Sequence, residues 1–378
     1  MRRYLLILLV IALTAVATGS ALAQAALPAL SDLKAGEWNE LLPGGETTCA
    51  YGGEYRFYVR PAAAPSDKLM IFFQGGGACW DATNCSPAFQ GPDGNPIFKS
   101  AVFPGESASY NQGIFDFANP ENPFADYNVV YVPYCTADVH TGNVVHDYDA
   151  GNVQYTIRHK GYVNASAVLD WTYANYTDPA SVFVSGCSAG SYGSIFHAPT
   201  IMAQYADAQV VQLGDAGVGV TPRGWEGLNS WGFYDNLSKA VPDYASIVPE
   251  KFRINQLYQG AARAFPNQTF AQYTTYLDRV QIGFFFLMGG GATPEAAGGN
   301  WLTGMRSNLT GLNGSLPNFR SYMAWGNTHC VTDTPDFYTY QVNGTRLRDW
   351  VADLAANQPP RTVNCTECTA PELYTPSR

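Results

Sequence analysis

The chain predicts an α/β fold in which a mostly parallel central sheet carries helices on both faces, with insertions between the elements. Three observations carry this. The first is a series of apolar runs, "KLMIFFQ" (68–74), "YNVVYVP" (127–133), "SVFVSG" (181–186), "AQVVQLG" (208–214), "TFAQYTT" (269–275) and "FRSYMAWG" (319–326). Strands covered on both faces read as such continuous runs rather than as alternation. The second is that helical patterns lie between some of them, such as "NASAVLDWTYAN" (164–175), and strands alternating with helices build parallel sheets. The third is that no internal repeat, low-complexity block or long Pro/Gly linker divides the chain, so one domain is expected over 24–378.

Residues 1–23 pair two arginines with an apolar stretch and end in Ala21-Leu22-Ala23, which reads as a secretory signal peptide cut before Gln24. Its apolar core is short for a membrane span, so no stable membrane insertion is expected after cleavage, and the protein is expected outside the cytoplasm. "TCAYGGEYRFYVRP" (48–61) reads as an antiparallel hairpin. The region 216–265 is expected to cap the site, and the tail 358–378 is expected to be irregular and held by a disulfide. Pro199 should kink or end the helix that comes after the third run.

Composition excludes several classes. The net charge is −10, and loss of Arg2 and Arg3 with the leader makes it more negative. Nucleic acid needs a basic face, and no dense Lys/Arg cluster exists to hold a polyanion either. Only 14% of residues are charged and 14% are aromatic, which permits a large core. Eight cysteines in an exported chain imply disulfides. The short gap between Cys79 and Cys85 makes that the pair expected first, while Cys365-x-x-Cys368 has no partner cluster that would make it a zinc or redox site.

Ligands of such sheets bind beyond the carboxyl ends of the strands, so the residues just after each run matter most. After 181–186 stands Gly186-Cys187-Ser188-Ala189-Gly190, a G-x-S-x-G. A nucleophile elbow turns sharply from strand to helix and needs small residues two before and two after the serine. The plain alternative is a glycine-rich turn. After 68–74 stands "GGGACW". Its glycines let backbone N–H groups approach a ligand, as an oxyanion hole requires, and the donors expected are Gly76, Gly77 and Ala189. After 319–326 comes His329, alone among five histidines in lying late in the chain, where an α/β-hydrolase places its base. His197 is its nearest competitor but lies too close along the elbow's own helix. Of the carboxylates between them, two closely follow an apolar run, Asp215 after the fourth and Asp278 after the fifth. The pattern leaves both open, with Asp278 favoured by its place on the penultimate strand.

Together these blocks resemble the pectinacetylesterase family, which includes the Notum carboxylesterases. "FFQGGGACWDATNCS" resembles the family's oxyanion-loop block, "VPYCTADVHTGN" its P-Y-C-S-x-D-V-x-x-G block, "SGCSAGSYGS" the plant-type elbow, and "GDAGVG" a family Asp-Ser-Gly or Asp-Ala-Gly turn. The likeness covers about residues 38–335. It implies Ser188 as nucleophile, Asp278 as acid through the Asp-x-x-Gln match in "LDRVQ", and His329 as base, and it supports a Cys79–Cys85 bridge. Two departures, Gly77 where Notum has an aromatic residue and Ser191 where the plant form has a second glycine, bear on substrate rather than chemistry.

The expectation is therefore a secreted serine carboxylesterase that cleaves acyl esters, O-acetyl above all, through an acyl-enzyme. No metal or organic cofactor is expected, and the partner is an acetylated polysaccharide or another acyl ester. A serine peptidase or amidase on the same scaffold is the second reading. A secreted sugar-binding protein with an inert triad is the third.

Overall fold

All six apolar runs are strands of one sheet. The computed structural model describes residues 27–91, 94–151, 153–223 and 225–365. The expected leader (1–23) and the tail from 366 onward lie outside the described residues. In chain order come β1 (Asn39–Leu41), β2 (Phe57–Arg60), β3 (Lys68–Phe73), β4 (Asn128–Val132), β5 (Val144–Asp149), β6 (Gln154–His159), α1 (Gly161–Asn175), β7 (Ser181–Cys187), α2 (Ala189–Gln204), β8 (Gln209–Asp215), α3 (Asn255–Ala264), β9 (Thr269–Thr275), α4 (Arg279–Leu287), α5 (Pro294–Ser315), β10 (Phe319–Ala324), β11 (Gln341–Val342), β12 (Thr345–Arg346), α6 (Leu347–Ala355) and β13 (Val363–Asn364).

The central sheet has the order β1-β2-β4-β3-β7-β8-β9-β10-β13. From β4 to β13 every pairing is parallel, and only the β1–β2 and β2–β4 pairings are antiparallel. Every residue of β4 and of β9 is buried, which is why these strands read as unbroken runs. Side chains alternate between the two faces. On one face Phe57 meets Trp171 of α1 and Phe73 stacks on His197 of α2, with ring centroids 5.7 and 5.3 Å apart. On the other, Phe72 meets Phe115 at 4.9 Å and Tyr322 meets Trp350 of α6 at 5.6 Å. That second face is covered by α6 and by the short 3₁₀ turn Gly113–Phe115, which lies in the long β3–β4 connection.

Three local expectations are corrected. The hairpin at 48–61 does not form: β2 pairs with the three-residue β1, in the register Asn39↔Val59, and the stretch before it is tied down by the Cys49–Cys135 disulfide. Pro199 does not end its helix, because α2 runs on to Gln204 with twelve buried residues; tertiary packing supplies most helical stability and carries the chain past one lost hydrogen bond. The tail is not wholly irregular, since β13 adds to the sheet beside β10. A further antiparallel ribbon, β5–β6, was not expected from the sequence. The expected Cys79–Cys85 bridge is present.

Between β8 and α3 the chain makes four 3₁₀ turns, Gly227–Trp231, Phe233–Asn236, Pro242–Ser246 and Pro249–Lys251. Of the stretch 216–265, α3 itself belongs to the sheet's crossover and packs on β9.

Candidate active site

The elbow after β7 is built by exclusion of side chains. Ser188 has φ 56° and ψ −121°, a conformation that costs a non-glycine residue of order 1–3 kcal/mol. A Cβ on Gly186 would lie 2.3 Å from the Gly190 carbonyl oxygen, and one on Gly190 would lie 1.9 Å from that of Phe73. Only glycine fits at either position. The Ser188 N–H donates to the Asp215 carbonyl at 2.9 Å, so β8 holds the turn. Helix α2 starts at the next residue and aims its N-terminus at the same point.

The loop after β3 leans directly on this elbow. A Cβ on Gly75 would stand 3.1 Å from Ser188 Cβ. Gly77 has φ +71°, and a Cβ there would fall 1.8 Å from the Ile97 carbonyl oxygen. The N–H groups of Gly76, Gly77 and Ala189 donate to no described residue, which leaves all three available to a ligand. Gln74 fixes the loop's root: its Oε1 accepts from Tyr134 N and Lys99 Nζ at 3.0 and 2.8 Å. The Gln74 carbonyl accepts from His140 Nε2 at 2.8 Å. Burial pushes the His140 imidazole down to about 3, so it stands neutral as a fixed donor. The segment around it is contorted, with Ala137, Val139 and His140 all at positive φ. The Asp138 carboxylate secures it, accepting from Thr136 Oγ1, His140 N and Gly161 N at 2.7, 3.2 and 2.7 Å.

His329 and Asp278 meet. His329 Nδ1 lies 2.9 Å from each Asp278 carboxylate oxygen. Asp278 is fully buried and caps α4, accepting from Val280 N and Gln281 N at 3.1 and 2.9 Å and from Gln281 Nε2 at 2.9 Å. With the carboxylate as acceptor the imidazole proton sits on Nδ1, and Nε2 presents its lone pair. Nε2 is buried and has no hydrogen-bond partner among the described residues. Burial alone would lower the His329 pKa, but the Asp278 carboxylate outweighs it, with help from Asp215 and Asp333, and the net shift is upward.

Asp215 does not touch the imidazole by hydrogen bond. Its Oδ2 accepts from Val331 N, Thr332 N and Thr332 Oγ1, each at 2.8 Å. It is the clamp of the loop that carries His329. Thr275 Oγ1 of β9 clamps the same loop from the other side through the Thr328 carbonyl, at 2.9 Å. The competitor His197 is spent on structure: its Nε2 bonds the His140 carbonyl at 2.9 Å while its ring covers Phe73.

Ser188, His329, Gly77 and Ala189 all line one cleft of about 680 Å³, part of it open to solvent. The rest of its wall is mostly apolar, with Trp80, Trp225, Trp231, Phe284, Met288 and Trp301 prominent beside Tyr192, Thr221 and Gln281. Val280, Phe284 and Met288 contribute at a spacing of four, one face of α4 and of the residue that closes it. Sequence reasoning did not reach this wall, His140, or the disulfide between Cys187 and Cys330. Two groups of His and Cys lie close enough to suggest a metal, Cys79–Cys85–His159 and Cys187–His329–Cys330. In both groups the two cysteines are joined as a disulfide, which removes the thiolates a metal would need.

Comparison with known proteins agrees with this architecture. The Drosophila Wnt deacylase Notum structure superposes with a TM-score of 0.60 at 17% identity, covering 87% of this chain and 96% of that one, and shows the same α/β-hydrolase-like fold. Palmitoleoyl-protein carboxylesterase notum2 of Xenopus laevis is 26% identical over 157 residues, 41% of this chain and 30% of that protein. Pectin acetylesterase 7 of Arabidopsis thaliana is 31% identical over 154 residues, 40% of this chain and 37% of that protein. The chain thus matches about a third of the length of these relatives. A sequence profile of the family described as Pectinacetylesterase covers residues 43–286, well over half of the chain, and the protein therefore belongs to the pectinacetylesterase family.

Proposed function

We propose that the protein is a serine carboxylesterase that hydrolyses acyl esters through an acyl-enzyme. The observation that carries the reading is the pairing of His329 Nδ1 with both oxygens of buried Asp278 in the cleft that Ser188 lines. His329 Nε2 takes the proton of Ser188 Oγ as that oxygen attacks the ester carbonyl. The amides of Gly76, Gly77 and Ala189 hold the oxyanion; one such donor is worth about 3–4 kcal/mol. The imidazolium then protonates the leaving alcohol, and the neutral ring later activates the water that frees the acid. Asp278 holds the tautomer and stabilises the imidazolium. The sequence of steps requires no metal or organic cofactor.

The turns between β8 and α3 act as the cap, since Gly219, Trp225, Leu228 and Trp231 roof the cleft. Three disulfides among the described residues fit an oxidising, extracytoplasmic compartment, and none of the described helices is long and apolar enough to cross a membrane. Acetylated polysaccharide or another acyl ester is the substrate class. The apolar wall favours a second reading of the acyl side, a chain several carbons long rather than acetyl alone.

The test is hydrolysis of p-nitrophenyl acetate, butyrate and octanoate by the wild type and by Ser188→Ala. Loss of turnover by several orders of magnitude in the variant is expected. Retained turnover rejects the assignment. Turnover of peptides or amides above esters selects the peptidase reading, and a wild type that hydrolyses nothing and takes no fluorophosphonate label selects the binding protein.

A further inference from the structure

We infer that the Cys187–Cys330 disulfide is a positioning element of this hydrolysis, which brings the His329 loop to the elbow of Ser188 and makes turnover depend on the bond being closed. The inference rests on the assignment of Ser188 and His329 proposed above.

The topology shows what the bond spans. Ser188 follows β7 and His329 follows β10, and β8 and β9 lie between those strands. Strands stand about 4.8 Å apart, so the two strand ends are separated by three such spacings, roughly 14 Å. Cys187 directly precedes Ser188 and Cys330 directly follows His329, yet their Cα atoms are 5.7 Å apart. The chain after β10 therefore runs back across the ends of β9 and β8. It is tethered over β9 by Thr275 and over β8 by Asp215. Among the described residues no hydrogen bond joins 325–334 to 186–190; Ile114 N–H of the β3–β4 connection donates to the Thr332 carbonyl at 2.8 Å, and the disulfide is the direct link from this loop to the elbow. Cys330 makes the turn with φ +58°. The two sulfurs and a ring nitrogen of His329 lie within 4.8 Å of one another, so the brace sits against the imidazole itself.

The bond touches the reacting residues but not the walls that hold an acyl chain. Opening it should let the His329 loop move away from the elbow of Ser188 and leave the cleft standing. A dithiol such as dithiothreitol does this in balanced form: its two thiols become a cyclic disulfide and surrender two electrons and two protons, the Cys187–Cys330 bond breaks, and two thiols form. Misplacement of a catalytic group by an ångström costs about 10²-fold.

The experiment compares the full-length wild type, C187A/C330A and C49A/C135A by steady-state kinetics on p-nitrophenyl butyrate, well below each variant's Tm. For C187A/C330A the expectation is a fall in kcat of about 10²-fold with KM nearly unchanged. C49A/C135A, which opens a bridge beside neither Ser188 nor His329, should lose Tm with a much smaller fall in kcat. A C187A/C330A variant with wild-type kcat overturns the inference, and so does an equal loss of kcat in both variants. Should C187A/C330A fail to fold, the wild type is titrated with dithiothreitol and the open bridges are mapped by mass spectrometry. Activity must then fall in step with opening of Cys187–Cys330 and return on reoxidation; activity that survives the open bond overturns the inference. Ser188→Ala separates the two levels: if it is inert while C187A/C330A turns over normally, the disulfide inference alone falls, and if it is active the underlying assignment falls.

Discussion

His329 Nδ1 sits 2.9 Å from both carboxylate oxygens of Asp278, and Asp278 is held in turn by the first turn of α4 and by Gln281. The Gln281 side chain also accepts from Val218 N at 2.9 Å, so the acid, the helix behind it and the base of the proposed cap form one hydrogen-bonded unit. Asp278→Asn keeps the shape and removes the acceptor that fixes the tautomer. It should lower kcat by about 10⁴-fold, the size of the comparable change in a serine protease triad. Asp215→Asn keeps an acceptor oxygen for Val331 and Thr332 and should cost roughly tenfold or less, the worth of one neutral hydrogen bond. Equal losses in the two variants would remove the distinction between acid and clamp.

The acid limb of the pH profile tests the same pair. His329 is a base only when neutral, and its pKa is raised above the ordinary 6.5 because the Asp278 carboxylate overcomes the opposing effect of burial. Activity should therefore rise with pH through a midpoint above 6.5 in kcat/KM. Residual activity of Asp278→Asn should have its midpoint at lower pH, since the charge that favours the imidazolium is gone. A limb that stays in place in that variant contradicts the assignment.

Gly77→Ala places a methyl 1.8 Å from the Ile97 carbonyl oxygen at a φ of +71°, so the loop must move. If Gly77 N–H is an oxyanion donor, kcat falls by about 10²–10³-fold while the fluorophosphonate-reactive serine remains. Unchanged kcat in a folded variant would take this amide out of the mechanism.

The apolar wall predicts a chain-length profile. A methylene moved from water into an apolar slot gains about 0.8 kcal/mol, or roughly fourfold in kcat/KM per carbon from acetate toward hexanoate. Phe284→Ala, which strips one face of α4, should flatten that gradient with little effect on acetate. A wild-type profile that peaks at acetate favours the acetylesterase reading over the longer acyl chain.

The parallel strands were legible because burial on both faces leaves a plain apolar signature, and the elbow was legible because its steric demand dictates glycine at 186 and 190. The β5–β6 ribbon was not: "VVHDYD" in β5 is mostly exposed and shows no buried run. The false hairpin arose because Gly52-Gly53 is a turn signal, whereas β2 found its partner in three residues at 39–41. Asp215 and Asp278 each stand at the end of an apolar run, so spacing left both open as the acid, and the resemblance at Gln281 favoured Asp278. The short Cys79–Cys85 pairing could be read from its gap, but Cys187–Cys330 spans 143 residues and depends on how the loops after β7 and β10 fold back toward each other.

The central claim is a covalent one, that the acyl group passes through Ser188 Oγ. Rapid acid quench of the wild type during turnover of p-nitrophenyl butyrate, followed by peptide mass spectrometry, tests it most directly. A butyryl adduct on Ser188 that appears with the burst in the wild type, and that His329→Ala forms far more slowly, is the predicted result. Turnover with no adduct on Ser188, or an adduct on another residue, would contradict the account.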